Sequence, residues 1–444
     1  MPKQKDAYKP MMFRIPESID QDEYVVATYL FSDVKVDADI VNKAVSWAVE
    51  QSTGTWMGVP SETVDVRVKF GAKVVGIYEI PAFEMLPLPE DVTKSQFIVR
   101  IAFPYVNFID QIPGLLTAVA GNITLTNSIK LLDLEFPKSF VESFKGPKFG
   151  IEGIREILGV KDRPLLNNMI KPCTGIDPDT GSKLCYEAAL GGTDIIKDDE
   201  LNVATVPISP LKERVKKYMG AIKRADQEKG EKTLYTANIT DRAKRLKENA
   251  LIAIDAGANA LMVNFTVGYS ALRELAEDPE VNVPILLHPD FTGAIFNSPY
   301  SGVSSSLIIA KLGRLAGADM VMFPSPYGKM GLMRSREITI ANTLQSSFYH
   351  LKRTFPALGG GVHPGVVSPT IEDLGTDIII GVGGAIHGHP MGSIAGAKAM
   401  REAIDAVIND IPLEEAAKKH EELAVALKEW GVYSPEKKGS IYPL

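Results

Sequence analysis

Residues 191–200 read Gly191-Gly192-Thr193-Asp194-Ile195-Ile196-Lys197-Asp198-Asp199-Glu200. A glycine turn opens the stretch, a short apolar run follows, and charged side chains close it. Between turn signals, an apolar run this short reads as a buried strand. The same unit recurs downstream. Short β runs fall at Pro164–Lys171, Thr193–Lys197, Thr233–Ile239, Ala260–Phe265, Val283–His288, Met320–Phe323, Phe355–Leu358 and Thr376–Ile380. Amphipathic helical runs lie between them, among them Ser209–Lys229, Asp241–Ala256, Ser304–Leu315 and Ser335–Thr354. Strands alternating with helices over about 250 residues predict a (β/α)₈ TIM barrel. A doubly wound open sheet is the alternative, but eight strands is the number a closed barrel needs.

Outward from the barrel, the pattern changes near residue 145. Before it come an alternating segment (Glu23–Phe31), a helical run (Ala38–Gln51), two strand-like runs (Lys73–Glu79 and Ser95–Phe103) and a second helical run (Ile112–Val119). This mixture predicts an α+β N-terminal domain over residues 1–145. The barrel then takes residues 146–412, and 413–444 form a C-terminal helix and tail.

Composition sets outer bounds. Of 444 residues, 45% are hydrophobic and 23% charged, the balance of an ordinary globular chain. The net charge of −7 disfavours nucleic acid, whose phosphates need a cationic face. Only Cys173 and Cys185 occur, with no disulfide framework, so a reducing cytoplasm is expected and both read as small buried apolar groups. The start MPKQKDAYKP lacks an apolar signal region, and the run Leu251–Phe265 is broken by Asp255 and Asn259. No membrane span is expected.

In such barrels chemistry gathers at the C-terminal strand ends. Those ends carry Lys171, the Lys197–Glu200 run, His288 with Asp290, Lys329 behind Pro326-Tyr327-Gly328, Gly359-Gly360-Gly361 and Gly383-Gly384. Lys197 and Asp199 share one side of their strand. Carboxylate oxygens of this kind suit Mg²⁺. A deprotonated lysine can add CO₂ and supply a third anionic oxygen, whereas the plainer reading is a solvated charge run. The glycine clusters allow backbone N–H groups to approach a phosphate, or serve only as tight turns. Lys171 becomes a proton donor or acceptor if its pKa is depressed. His288, His363, His387 and His389 fit no zinc spacing, and most of them read as structural.

With these residues in view, Gly191–Glu200 resembles the metal-site signature of the RuBisCO large subunit. Glu50-Gln51-Ser52-Thr53-Gly54-Thr55-Trp56, Gly121-Asn122, Ile170-Lys171-Pro172, Gly328-Lys329, Gly359-Gly360-Gly361 and Gly383-Gly384 follow in that family's order. The resemblance implies a ferredoxin-like α+β domain before the barrel. It implies Mg²⁺ held by carbamylated Lys197, Asp199 and Glu200. It also implies a homodimer in which Glu50, Thr55, Trp56 and Asn122 of one chain reach the barrel site of the other. Thr55, Trp56, Gly360, Gly361, Gly383, Gly384 and Lys329 would then hold a phosphate, with His288 beside the substrate.

The departures narrow the resemblance. The family's second lysine is Cys173 here, its strand-5 His-Arg pair is Asp290-Phe291, its strand-6 His is Met322, and its strand-7 Ser is Gly359. Phe, Met and Gly cannot hold a phosphate with side-chain charge or hydrogen bonds. A monophosphate is therefore expected, as in the RuBisCO-like proteins. The segments 323–328, 361–365 and 386–390 are similar to methionine-salvage 2,3-diketo-5-methylthiopentyl-1-phosphate enolases. Those carry a lysine at the position of Asn122 and none at that of Lys329. The implied chemistry is enolase- or isomerase-type, enolisation of a phosphorylated ketose, with the carbamate, Lys171 or Asp290 as base, and isomerisation of 5-methylthioribulose-1-phosphate stays open. A true carboxylase, a decarboxylase of a phosphorylated oxo-acid sugar, and a non-catalytic ligand-binding protein are the alternatives.

Overall fold

A computed structural model describes residues 12–54 and 59–434. Its strands are, in chain order, β1 (Tyr24–Lys35), β2 (Lys73–Ile80), β3 (Lys94–Pro104), β4 (Ile129–Glu135), β5 (Leu165–Met169), β6 (Ile195–Lys197), β7 (Leu234–Asn238), β8 (Ala260–Asn264), β9 (Ile285–His288), β10 (Gly302–Val303), β11 (Met320–Pro324), β12 (Phe355–Gly359) and β13 (Ile379–Val382). The chain forms two compact units. Among the described residues, one takes those up to 144 together with 291–308, the other 145–290 and those from 309 to 434.

In the first unit the sheet order is β10-β4-β1-β3-β2. Strands β1 to β4 pair antiparallel, and β10 adds to β4 in parallel. Helix Ile40–Glu50 lies between β1 and β2, and helix Ile112–Ala120 between β3 and β4. With spatial order 4-1-3-2, this is the ferredoxin-like arrangement. Period-2 alternation buries Val25, Ala27, Tyr29 and Phe31 of β1 on one face. Asp39 starts the first helix by accepting from the Asn42 N–H at 2.9 Å. Sequence reading misses β4, where Lys130 and Asp133 interrupt the apolar run, and β10, which is two residues long.

In the second unit eight parallel strands close in the order β11-β12-β13-β5-β6-β7-β8-β9. All eight predicted β runs are present as barrel strands. The helix predicted over Ser335–Thr354 stops at Gln345. Buried Arg314 supplies the reason. Its guanidinium donates to the carbonyls of Thr343, Ser346, Leu351 and Lys352, at 2.6–3.1 Å, and offers them partners that a longer helix would replace. Among the described residues, no helix is long and apolar enough to cross a membrane.

The barrel interior is apolar at the strand starts. Leu165, Ile195, Leu234, Ala260, Met320, Phe355 and Ile379 pack there with Ile151, Ile154 and Leu158. The last three come from the amphipathic helix Gly150–Leu158, which serves as a plug. One buried carboxylate ties that plug to the strands. Asp319 accepts from the backbone N–H groups of Phe149 (2.6 Å), Gly150 (2.9 Å) and Ile285 (2.9 Å). Burial pushes its pKa up, and the three N–H groups counter that only in part. The plug fills the strand starts, where Asp319 anchors it, and the charged strand-end residues lie at the opposite rim.

Asp319→Ala removes three hydrogen bonds to a charged group. Its unfolding free energy should fall by about 4 kcal/mol in urea titration. A loss below about 1 kcal/mol would show that packing alone seats the plug.

Candidate active site

Strand alternation sorts the charged run after β6. Asp198 turns away from the barrel axis into a fully buried ion pair with Arg214 at 3.1 Å. It also accepts from the Tyr235 hydroxyl (2.9 Å) and the Asn238 N–H (2.9 Å). Asp198 is therefore structural. Lys197 and Asp199 take the other side. The Lys197 side chain is fully buried and its Nζ donates to the Asp198 carbonyl (2.6 Å), with Glu200 Oε2 3.4 Å away. Burial lowers the basicity of this amine, while the charges of Glu200 and Asp199 act in the opposite sense.

Lys171, just beyond β5, reaches the same place. Its Nζ donates to Asp199 Oδ2 at 2.6 Å and to Cys173 Sγ at 2.9 Å. Burial alone would lower the Lys171 pKa, but the hydrogen bonds to Asp199 and Cys173 and their charge raise it. The depressed pKa considered from sequence is thus not found: contact with a carboxylate keeps Lys171 charged. Asp199 shows the reciprocal effect. Burial raises its pKa, and the bonds from Lys171 and Cys173 together with the charges of Lys171 and Lys197 more than offset this. Cys185 is buried as expected, whereas Cys173 is half-exposed and accepts from Lys171, so it is not an inert apolar filler.

His288 ends β9 with Nε2 3.4 Å from Glu200 Oε2 and Nδ1 3.3 Å from Asp290 Oδ1. Burial and then the nearby Lys197 charge hold its pKa down, which favours neutral imidazole. Asp290 Oδ1 also accepts from the Phe265 N–H at 3.1 Å, so this carboxylate is already engaged. Lys171 with Asp199, and Lys197 with Glu200, His288 and Asp290, therefore form two contact groups coupled through their charges. Among the described residues, no group of three or more His, Cys, Asp and Glu side chains is placed to hold a metal ion. Together they supply two carboxylates, Asp199 and Glu200, beside one buried amine.

The glycine clusters have separate uses. The Lys329 N–H donates to the Gly360 carbonyl at 2.8 Å. A Cβ on Gly361 would stand 2.6 Å from the Lys329 nitrogen, so this glycine admits the Lys329 loop. A Cβ on Gly383 would crowd Lys171 Cε at 3.0 Å, while one on Gly384 would meet open space. Met322 is almost fully buried, and its methyl lies 3.0 Å from where a Gly359 Cβ would stand. A thioether thus fills the space beside Gly359. In the first unit, Asn122 Nδ2 and Glu50 Oε1 are 3.5 Å apart. Thr55 and Trp56 lie outside the described residues.

The loop after β11 rests on a second acidic group that sequence reading passes over. Asp373 accepts from the Tyr327 hydroxyl and pairs with Arg334. Glu337 is fully buried with neither carboxylate oxygen hydrogen-bonded. No local motif marks these acids, because they come from two helices far apart in sequence.

Residues 13–140 match the family model for the ribulose bisphosphate carboxylase large chain, N-terminal domain, and residues 150–430 that for its catalytic domain. A ribulose bisphosphate carboxylase-like protein of Archaeoglobus fulgidus is 52% identical over 89% of this chain and 90% of its own length. A 2,3-diketo-5-methylthiopentyl-1-phosphate enolase of Geobacillus kaustophilus is 40% identical over 93% of this chain and 99% of its own. Among solved structures, a rubisco-like protein from Alicyclobacillus acidocaldarius superposes with TM-score 0.83 at 36% identity, covering 92% of this chain and all of that one. A dimeric archaeal Rubisco from Hyperthermus butylicus gives TM-score 0.83 at 32% identity, covering 96% of this chain and all of that one.

Burial, then repulsion from Asp373, pushes the Glu337 carboxyl from 4.5 up to about 8, with Arg334 opposing. The native state therefore holds a proton that the unfolded chain releases, so stability falls as pH rises from about 4.5 to about 8 and levels above that. Glu337→Gln should remove this slope and gain up to about 4 kcal/mol over the parent at pH 8. Parallel denaturation curves at pH 5 and pH 8 for the two proteins would contradict this assignment.

Proposed function

Because this chain belongs to the ribulose bisphosphate carboxylase large-chain family, in both its N-terminal and its catalytic domain, we propose that it is a RuBisCO-like enzyme that enolises a monophosphorylated ketose. The observation that carries this reading is the fully buried, weakly basic Lys197 amine flanked by Asp199 and Glu200, with charged Lys171 in contact with Asp199. A neutral amine is the form that adds CO₂. Two carboxylates plus the resulting carbamate fit the all-oxygen preference of Mg²⁺. Lys197, Asp199 and Glu200 would hold that ion, which supplies Lewis-acid stabilisation of the negative charge developing on the carbonyl oxygen.

The side chains do the remaining work. Lys171, held charged, donates a proton at the enolate oxygen, and a carboxylate such as Asp290, beside His288, would take the proton leaving the carbon next to the carbonyl. His288 orients Glu200 from its second side. Gly384 leaves room for a phosphate, and Lys329 closes over it. Glu50 and Asn122, and with them Thr55 and Trp56, would serve the site of a partner subunit in a homodimer; the Hyperthermus butylicus relative is described as dimeric. With two free cysteines, the protein suits a reducing cytoplasm.

The Met322–Gly359 contact favours a monophosphate. Where the RuBisCO pattern has His and Ser for a second phosphate, this barrel has a buried thioether against a bare backbone. The 40% identity to an enolase of 2,3-diketo-5-methylthiopentyl-1-phosphate makes that diketone the first member of the substrate panel.

The test is proton exchange by NMR. The protein is activated with Mg²⁺ and bicarbonate in D₂O, then offered monophosphorylated ketoses and ribulose bisphosphate. Deuterium should enter a monophosphate next to its carbonyl only after activation. Lys197→Met should lower that rate by about 10³-fold. Full activity in the variant would sink the carbamate assignment, and exchange confined to the bisphosphate would favour a carboxylase.

A further inference from the structure

The loop from Tyr327 to Arg334 carries Lys329 and has few contacts of its own. Met330 and Met333 are exposed at 61% and 67%. Within the arch, Gly328 N–H donates to the Ser325 carbonyl (3.3 Å) and Lys329 N–H to the Gly360 carbonyl (2.8 Å). A segment this sparsely tied takes its position from its ends.

Both ends converge on one side chain. Asp373, on helix Val367–Leu374, accepts the Tyr327 hydroxyl with Oδ2. On the far side of the arch, Arg334 Nε donates to both Asp373 oxygens, at 2.9 and 2.7 Å, and its terminal nitrogen bonds Oδ1. The Asp373 side chain is 4% exposed, whereas that of Arg334 is 63% exposed. The buried partner is therefore the fixed point and the arginine comes to it. Tyr327 is braced a second time by the edge of the Tyr433 ring, 4.9 Å between centroids, and Tyr433 N–H is bonded to the Gly365 carbonyl at 2.9 Å.

We infer that Asp373 is the positioning residue of the Lys329 loop: one buried carboxylate clasps both feet of the arch and seats Lys329 against Gly360. The importance of Lys329 for catalysis rests on the function proposed above; the clasp itself does not. Charge-assisted bonds are the strong members of their class, and a buried carboxylate without its partners is costly. Loss of the carboxylate charge should therefore free the arch while leaving the barrel intact. Burial and the nearby Asp373 charge raise the Glu337 carboxyl to about 8, and Arg334 bonds Asp373 rather than Glu337.

Amide hydrogen exchange of the full-length protein, with no substrate present, reads this directly. At pH 7, Asp373→Asn should make the amides of residues 327–333, that of Lys329 above all, exchange about 10–100-fold faster. Amides of the barrel strands should keep the parent rates. Asp373→Glu, which retains the carboxylate, should restore most of the protection, and Arg334→Gln should reproduce most of the loss. Unchanged loop exchange in Asp373→Asn would overturn the inference, as would acceleration spread evenly over loop and strands. Since no ketose phosphate enters this measurement, a failed enolisation assay and a failed clasp are separable results.

Discussion

Closing eight parallel strands into one barrel brings their C-terminal ends to a single rim. Every other feature of the second unit depends on that closure. The strand starts are plugged by Ile151, Ile154 and Leu158, and the interior above them is filled with Leu, Ile, Met and Phe. Buried charge then stands where partners are in reach: Asp319 at the strand starts, bonded to three backbone N–H groups, and the lysines and carboxylates where the strands end. Lys171 and Lys197 come from neighbouring strands and meet at Asp199 and Glu200 because β5 and β6 pair in parallel, with Met169 opposite Lys197.

The charges on the rim are mutually dependent. Removing a lysine from water weakens it as a base, while a touching carboxylate strengthens it. Lys197 and Lys171 show the two outcomes. Lys197 is fully buried, and desolvation prevails. Lys171 is less buried, and its bonds to Asp199 and Cys173 together with their charge outweigh desolvation. Two lysines with oppositely shifted basicity therefore stand side by side without a difference in residue type. Asp198, the middle member of the charged run, stabilises β6 and β7 through Arg214, Tyr235 and Asn238.

The glycine clusters show how one residue type carries several meanings. From sequence, Gly360, Gly361, Gly383 and Gly384 form a single class of phosphate-approaching turn residues. In the fold, Gly361 makes room for the backbone of Lys329, Gly383 for the side chain of Lys171, and Gly384 faces open space. Gly359 leaves a gap that Met322 fills. These distinctions follow from which chain segment passes beside each glycine, and that segment lies from 32 (Lys329 to Gly361) to 212 residues (Lys171 to Gly383) away in the chain.

Sequence alone was sufficient for the barrel, its eight strands, the placement of Lys171, Lys197, Asp199, Glu200, His288 and Lys329 at strand ends, and the family. Hydrophobic periodicity and glycine punctuation are local, and a strand-end signature of ten residues survives without its context. The tertiary structure decided what depends on partners distant in the chain: the charged state of Lys171, the structural role of Asp198, the engagement of Cys173 and Asp290, the early end of the helix at Gln345, and the convergence of Tyr327 and Arg334 on Asp373. In each case a buried polar group must find a partner, and the chain's path through space selects which one is in reach.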